Sequence, residues 1–126
     1  MVILEISLKS ISPTIDTINS DIVNVSGMAV DGQINLFVDG AGSAFTTGSK
    51  SWVRLPQDCT LTGWDLTADQ STTTIVDVWV DTYGNFPPTN ADSITNGNEP
   101  SGVAAIKGQS ADLSGWSDVI MTAGNY

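Results

Sequence analysis

Apolar and polar residues alternate along several short stretches of this chain, most regularly from Thr74 to Asp81. Val76, Val78 and Val80 fall on one side of an extended chain, while Ile75, Asp77, Trp79 and Asp81 fall on the other. A two-residue period is what a strand with one buried face produces, and β-branched side chains favour that strand over a helix. The chain then enters Tyr83-Gly84-Asn85-Phe86-Pro87-Pro88-Thr89. Gly84-Asn85 is turn chemistry and the tandem prolines remove two backbone donors, so a central strand cannot continue. A core strand is expected to deliver the chain into a stiff aromatic loop.

Other stretches carry the same period. Val2, Leu4, Ile6 and Leu8 share one face of a strand over residues 2–8. From Gln33 the pattern is all-β, with strands predicted at 33–39, at 51–55 around Trp52 and Arg54, and at 59–66 with Cys59, Leu61 and Gly63 on one face. Further strands are predicted at 73–81, 103–107 and 111–120, while 26–32, 67–72 and 90–101 read as hinge, turn and loop. The segment Leu61-Thr62-Gly63-Trp64-Asp65 is echoed by Leu113-Ser114-Gly115-Trp116-Ser117, which suggests two strands in equivalent places on facing sheets. Short strands punctuated this often imply a mainly β fold, an antiparallel β-sandwich or jelly-roll-like domain.

A second pattern overlaps the first strand. Leu4, Leu8, Ile11, Ile15, Ile18, Ile22 and Val25 are spaced alternately by four and three residues, the a/d seam of a coiled coil. Ser12 and Pro13 are suited to the N-cap and first position of a helix. Residues 13–25 then read as a short helical coiled coil, and isoleucine at both seam positions favours three or more chains. Against this stand the weak helix formers Thr, Asn, Ser and Asp, and a length at which a helix needs a partner to persist. The expected division is an N-terminal assembly or attachment segment over 1–32 and a β-sandwich domain over 33–126 that lacks its last strands. The expected oligomerisation residues are Ile11, Ile15, Ile18, Ile22 and Val25.

Composition narrows the function classes. The 126 residues carry 14 acids against four cations, for a formal charge of −10. Such a chain cannot build the basic face that nucleic acid requires, and it is poorly suited to anionic membrane surfaces. There is no histidine, which removes Ser-His-Asp and Cys-His catalysis and histidine-held zinc. The single cysteine, Cys59, excludes an intrachain disulfide and is expected to be a buried structural thiol. No apolar run reaches membrane-spanning length, and the N-terminus lacks the basic region of a signal peptide.

Several motifs in order resemble a known family. They are Thr46-Thr47-Gly48-Ser49-Lys50, Asp58-Cys59-Thr60-Leu61-Thr62-Gly63-Trp64, Ala68-Asp69-Gln70-Ser71, and the run from Asp77 to Thr89, with Ala91-Asp92-Ser93-Ile94-Thr95 behind it. Together, over about residues 37–126, they resemble a β-rich domain of tailed-bacteriophage virion proteins, particularly tail-fibre and minor tail proteins. The most specific part is Trp79-Val80-Asp81-Thr82-Tyr83-Gly84-Asn85-Phe86-Pro87-Pro88-Thr89. The resemblance implies a structural virion protein and no catalytic residues. Val80 departs from it, since relatives usually place a lysine there. Relatives also continue beyond the counterpart of Ala123-Gly124-Asn125-Tyr126 into one or two more strands, so a neighbouring subunit or further chain is expected to complete the edge.

The candidate binding site is the row Asp77, Trp79 and Asp81 with Tyr83 and Phe86 nearby. Sugars are held by aromatic faces that cover C–H patches and by carboxylates that accept hydroxyl hydrogen bonds. The competing reading makes these aromatics core, with the valines turned outward. Asp65, Asp69, Asp77, Asp81 and Asp92 are candidate calcium ligands only if the fold gathers them, and the sequence holds no Asp-x-Asp-x-Asp loop. A glycosidase pair among fourteen acids is expected by chance. The expected function is a non-enzymatic virion protein without cofactor, a homotrimer that contacts other virion proteins and a host-surface glycan. The alternatives are a capsid decoration or head-fibre protein and a stand-alone carbohydrate-binding module.

Overall fold

The computed structural model describes residues 1–11, 29–39 and 46–126. Among the described residues five antiparallel strands form one sheet: β1 (Val2–Ile11), β2 (Ala29–Val38), β3 (Cys59–Ile75), β4 (Ser101–Ser110) and β5 (Ile120–Met121). Their order is β2-β1-β3-β4, with β5 paired to the start of β3 beside β4. The fold is mainly β and antiparallel, as the alternation predicts.

β1 lies between two partners. Val2 faces Val38 on one side and Ala68 on the other, and Ile11 faces Ala29 at the far end of the β1–β2 pair. Residues 2–11 and 29–32, assigned from the sequence to a separate N-terminal segment, therefore belong to the same sheet as the rest. Ile11 lies on β1 and not in a helical seam, and Leu4 is only 2% exposed in the core. Ile15, Ile18, Ile22 and Val25, and the predicted helix over 13–25, lie outside the described residues.

The inward face is the one the sequence marks. Val2, Leu4, Ile6, Ile34, Cys59, Leu61 and Leu66 are buried on it. Met121 of β5 joins them, and their cover is a layer of irregular and turn segments carrying Leu55, Val78, Ile94, Leu113 and Trp116, all in one contiguous cluster. Val76 and Val80 pack against that cluster as well, so the valines of the Val76–Val80 row point inward. Among the described residues this second layer forms no long ladder. Isolated backbone bonds hold it: Val80 N–H to Asp92, Ile94 N–H to Val78, Ser117 N–H to Ile94, and a reciprocal pair between Asp81 and Tyr126.

Several predicted elements differ. Residues 67–72 are not a turn, because β3 runs unbroken from Cys59 to Ile75. Residues 51–55 and 76–81 lie outside named strands, because their neighbours offer only isolated pairs of backbone bonds, as at Trp79–Ser93 and at Leu55 with Gly124 and Asn125. Residues 111–119 turn repeatedly, so Leu113–Ser117 is no strand and does not mirror Leu61–Asp65. β4 is longer than the predicted 103–107 and bends sharply. Ala104 adopts a positive φ of 47°, and a Cβ placed on Gly102 would lie 3.7 Å from the Lys107 carbonyl oxygen. The end of β3 follows this bend with extra residues between Thr67 and Thr72, a bulge that lets the ribbon double over.

Candidate functional site

The segment after β3 builds the site. Its alternation places Val78 in the core and turns Asp77 and Trp79 toward the opposite side, where both are half-buried. Asp77 Oδ1 accepts hydrogen bonds from Ser93 Oγ at 2.6 Å and Thr95 Oγ1 at 2.8 Å. Its Oδ2 accepts from Trp79 Nε1 at 2.5 Å. Thr95 is fully buried, so this carboxylate anchors an interior threonine. Burial pushes the Asp77 carboxyl up, but the bonds from Ser93, Trp79, Thr95 and the Val78 backbone outweigh it and hold the group below its ordinary value.

Ser93 reaches Asp77 because a short turn aims it there. Thr89 caps the turn Asn90–Asp92: its hydroxyl accepts from Ala91 N–H, while the Asp92 carboxylate accepts from Thr89 N–H at 2.7 Å. This reciprocal pairing satisfies backbone donors that the turn would otherwise leave open.

Beyond the tandem prolines the aromatic residues converge. Trp79 and Trp52 have ring centroids 6.4 Å apart, and Trp52 meets Phe86 edge-on at 5.6 Å. Phe86 lies 4.7 Å from Tyr126, which in turn lies 6.2 Å from Tyr83. The result is a continuous belt of five rings. Tyr83 and Phe86 are 66% and 46% exposed, so the belt is open to solvent rather than enclosed. Contiguous aromatic surface open to solvent is a candidate binding surface. The Phe86–Pro87 peptide bond at its centre is cis.

Two cations rest on the rings. Lys50 Nζ is 4.7 Å from the Trp79 centroid, and Arg54 Cζ is 5.3 Å from that of Tyr83. Lys50, Trp52 and Arg54 sit at alternate positions of one extended segment, which presents all three on the same side. Asp81 Oδ1 accepts from Thr82 N–H at 2.6 Å and from Asn85 Nδ2 at 3.1 Å, which ties the Tyr83–Asn85 turn to the segment before it.

The five residues singled out from sequence thus divide. Trp79, Tyr83 and Phe86 join in the belt, while Asp77 is engaged by interior donors and Asp81 by its own turn. Sequence reasoning missed Trp52, Tyr126, Lys50 and Arg54. The alternation of Lys50, Trp52 and Arg54 was the available signal, whereas Tyr126 is brought in only by its backbone pairing with Asp81. Among the described residues no three acids converge to hold a metal ion. No protein-family model, curated protein or solved structure matches the chain.

Proposed function

We propose that this protein is a structural component of a tailed-phage virion, of the tail-fibre or receptor-binding kind, which meets a host-surface glycan through the aromatic belt. One observation carries the reading. The Trp79–Thr89 run that bears the resemblance to phage virion domains also supplies Trp79, Tyr83 and Phe86, three of the belt's five rings. Its work in this reading is adhesive and mechanical rather than enzymatic. Assembly as a homotrimer with other virion proteins rests on the isoleucine seam over Ile15, Ile18 and Ile22.

Labelling of purified particles with an antibody against the protein tests the virion location. Signal at the tail supports the reading, signal on the capsid points to a decoration or head-fibre protein, and an unlabelled particle sinks both. One observation favours a second reading, a stand-alone carbohydrate-binding module: the whole belt is built within one chain. Light scattering separates the two. A trimer that Ile15→Asp with Ile22→Asp reduces to monomer supports the fibre, whereas a monomeric wild type supports the module.

A further inference from the structure

The belt is charged unlike the rest of the molecule. The chain has four cations against 14 acids, yet two of the four, Lys50 and Arg54, stand over belt rings. Lys50 Nζ also lies 6.0 Å from the Trp52 centroid, so it spans the two tryptophans. Two nearby acids already accept hydrogen bonds. Asp77 is engaged by Ser93, Thr95 and Trp79, and Asp81 Oδ1 by Thr82 and Asn85. Those donors are neutral, so both carboxylates keep their charge, but the cationic donors that the belt offers a ligand are Lys50 and Arg54, placed near its two ends.

A cation settles over an indole or phenol because the ring face is electron-rich, and the same face attracts the polarised C–H bonds of a sugar. Lys50 and Arg54 are both exposed, so their positions over the rings are exchangeable with a ligand. We infer that the belt binds an oligosaccharide bearing carboxylate or phosphate groups. Its sugar rings lie over Trp79, Phe86 and Tyr83, and its acidic groups pair with Lys50 and Arg54. Successive rings, 4.7 to 6.4 Å apart, are spaced on the scale of single pyranose units. As an acidic group draws Lys50 off Trp79, it uncovers the ring for stacking, so charge pairing and stacking reinforce each other. An acidic peptide would meet the same cations but offers fewer C–H faces to the rings. This inference rests on the attachment reading for its biological setting only.

The test is calorimetry and tryptophan fluorescence on the full chain with uronate-, sialate- and phosphate-bearing oligosaccharides, their neutral counterparts and oligoglutamate. The expected result is binding of at least one acidic oligosaccharide, weakened by salt and about tenfold tighter than its neutral counterpart. Lys50→Gln with Arg54→Gln should erase that preference, and because both residues are exposed the fold should persist by circular dichroism. Tyr83→Ala should weaken acidic and neutral forms alike. The inference is overturned if no acidic oligosaccharide binds, if neutral counterparts bind equally well, if oligoglutamate binds as tightly, or if the double variant keeps the preference. Glycan binding by a protein that labels no particle would overturn the virion reading alone.

Discussion

The Trp79 indole donates its Nε1 proton to the carboxylate of Asp77, two residues earlier on the same extended segment, at 2.5 Å. This bond joins two environments. On one side Asp77 gathers Ser93 and the buried Thr95, and on the other Trp79 faces Trp52 and Lys50 in the open belt. The interior polar node and the exposed aromatic surface are thus one connected unit.

Asp77→Ala removes the acceptor shared by three donors, one of them on a fully buried residue. Hydrogen bonds to charged groups are individually worth about 1.5–3 kcal/mol and do not add, so a loss of about 2–3 kcal/mol is expected in urea denaturation. Asp77→Asn keeps an acceptor for the hydroxyls and should cost about 1 kcal/mol. A loss for Asp77→Ala within the error of the measurement would mean that water replaces the carboxylate.

The same carboxylate gives a pH signature. Its folded pKa lies below its ordinary value, so its stabilisation is present above the unfolded pKa and is lost as pH falls through the folded one. The stability difference between wild type and Asp77→Asn should be flat from neutral pH down to about 5 and should shrink below about 4. Asp112 and Asp69, whose pKa values are also lowered, cancel because both proteins carry them. A gap that widens on acidification would contradict this arrangement.

Gly63 lies where β3 meets the end of β4, and a Cβ there would sit 2.7 Å from the Ser110 carbonyl oxygen and 3.3 Å from Ala111 Cα. Backbone cannot give way as a flexible side chain does. Gly63→Ala should destabilise by about 1–3 kcal/mol in thermal melts. Gly84→Ala, which meets nothing within 4 Å, should stay within about 0.5 kcal/mol of wild type. Equal melting temperatures for the two variants would show that β3 and β4 separate easily at this point.

Legibility in the sequence followed burial contrast. Val2, Leu4 and Ile6 recur at every second position because one face meets a core, and so do Cys59 and Leu61, and Val76, Val78 and Val80. The ribbon from Ala68 to Thr73 was unreadable as strand because nearly all of it is solvent-facing on both sides. Leu113 and Trp116 are buried from a chain of turns, so their spacing imitates a strand that does not form. The belt was half visible. Trp79, Tyr83 and Phe86 are close in sequence, whereas Trp52 and Tyr126 arrive through tertiary contacts that no local pattern encodes.

Cys59 is free and buried at the start of β3, opposite Met121. Burial, and secondarily the negative charge of Asp58, push its thiol pKa up. Because the thiolate is the reactive form, alkylation by iodoacetamide at neutral pH should be slow in the folded protein and rapid in urea. Equal rates in both states would place the thiol at the surface.

Ile11 and Ala29 stand opposite each other at the open end of the β1–β2 pair. β1 therefore ends, and β2 begins, at a single doorway where the two strand ends meet. Lengthening a closed excursion is inexpensive, about 0.6 kcal/mol for each doubling of a flexible loop. The doorway is thus a natural grafting point, where a foreign segment, or a two-residue Asn-Gly turn in place of 12–28, should leave β1, β2 and the distant aromatic belt unaltered. Architecture at one end of the sheet and recognition at the other can then change independently.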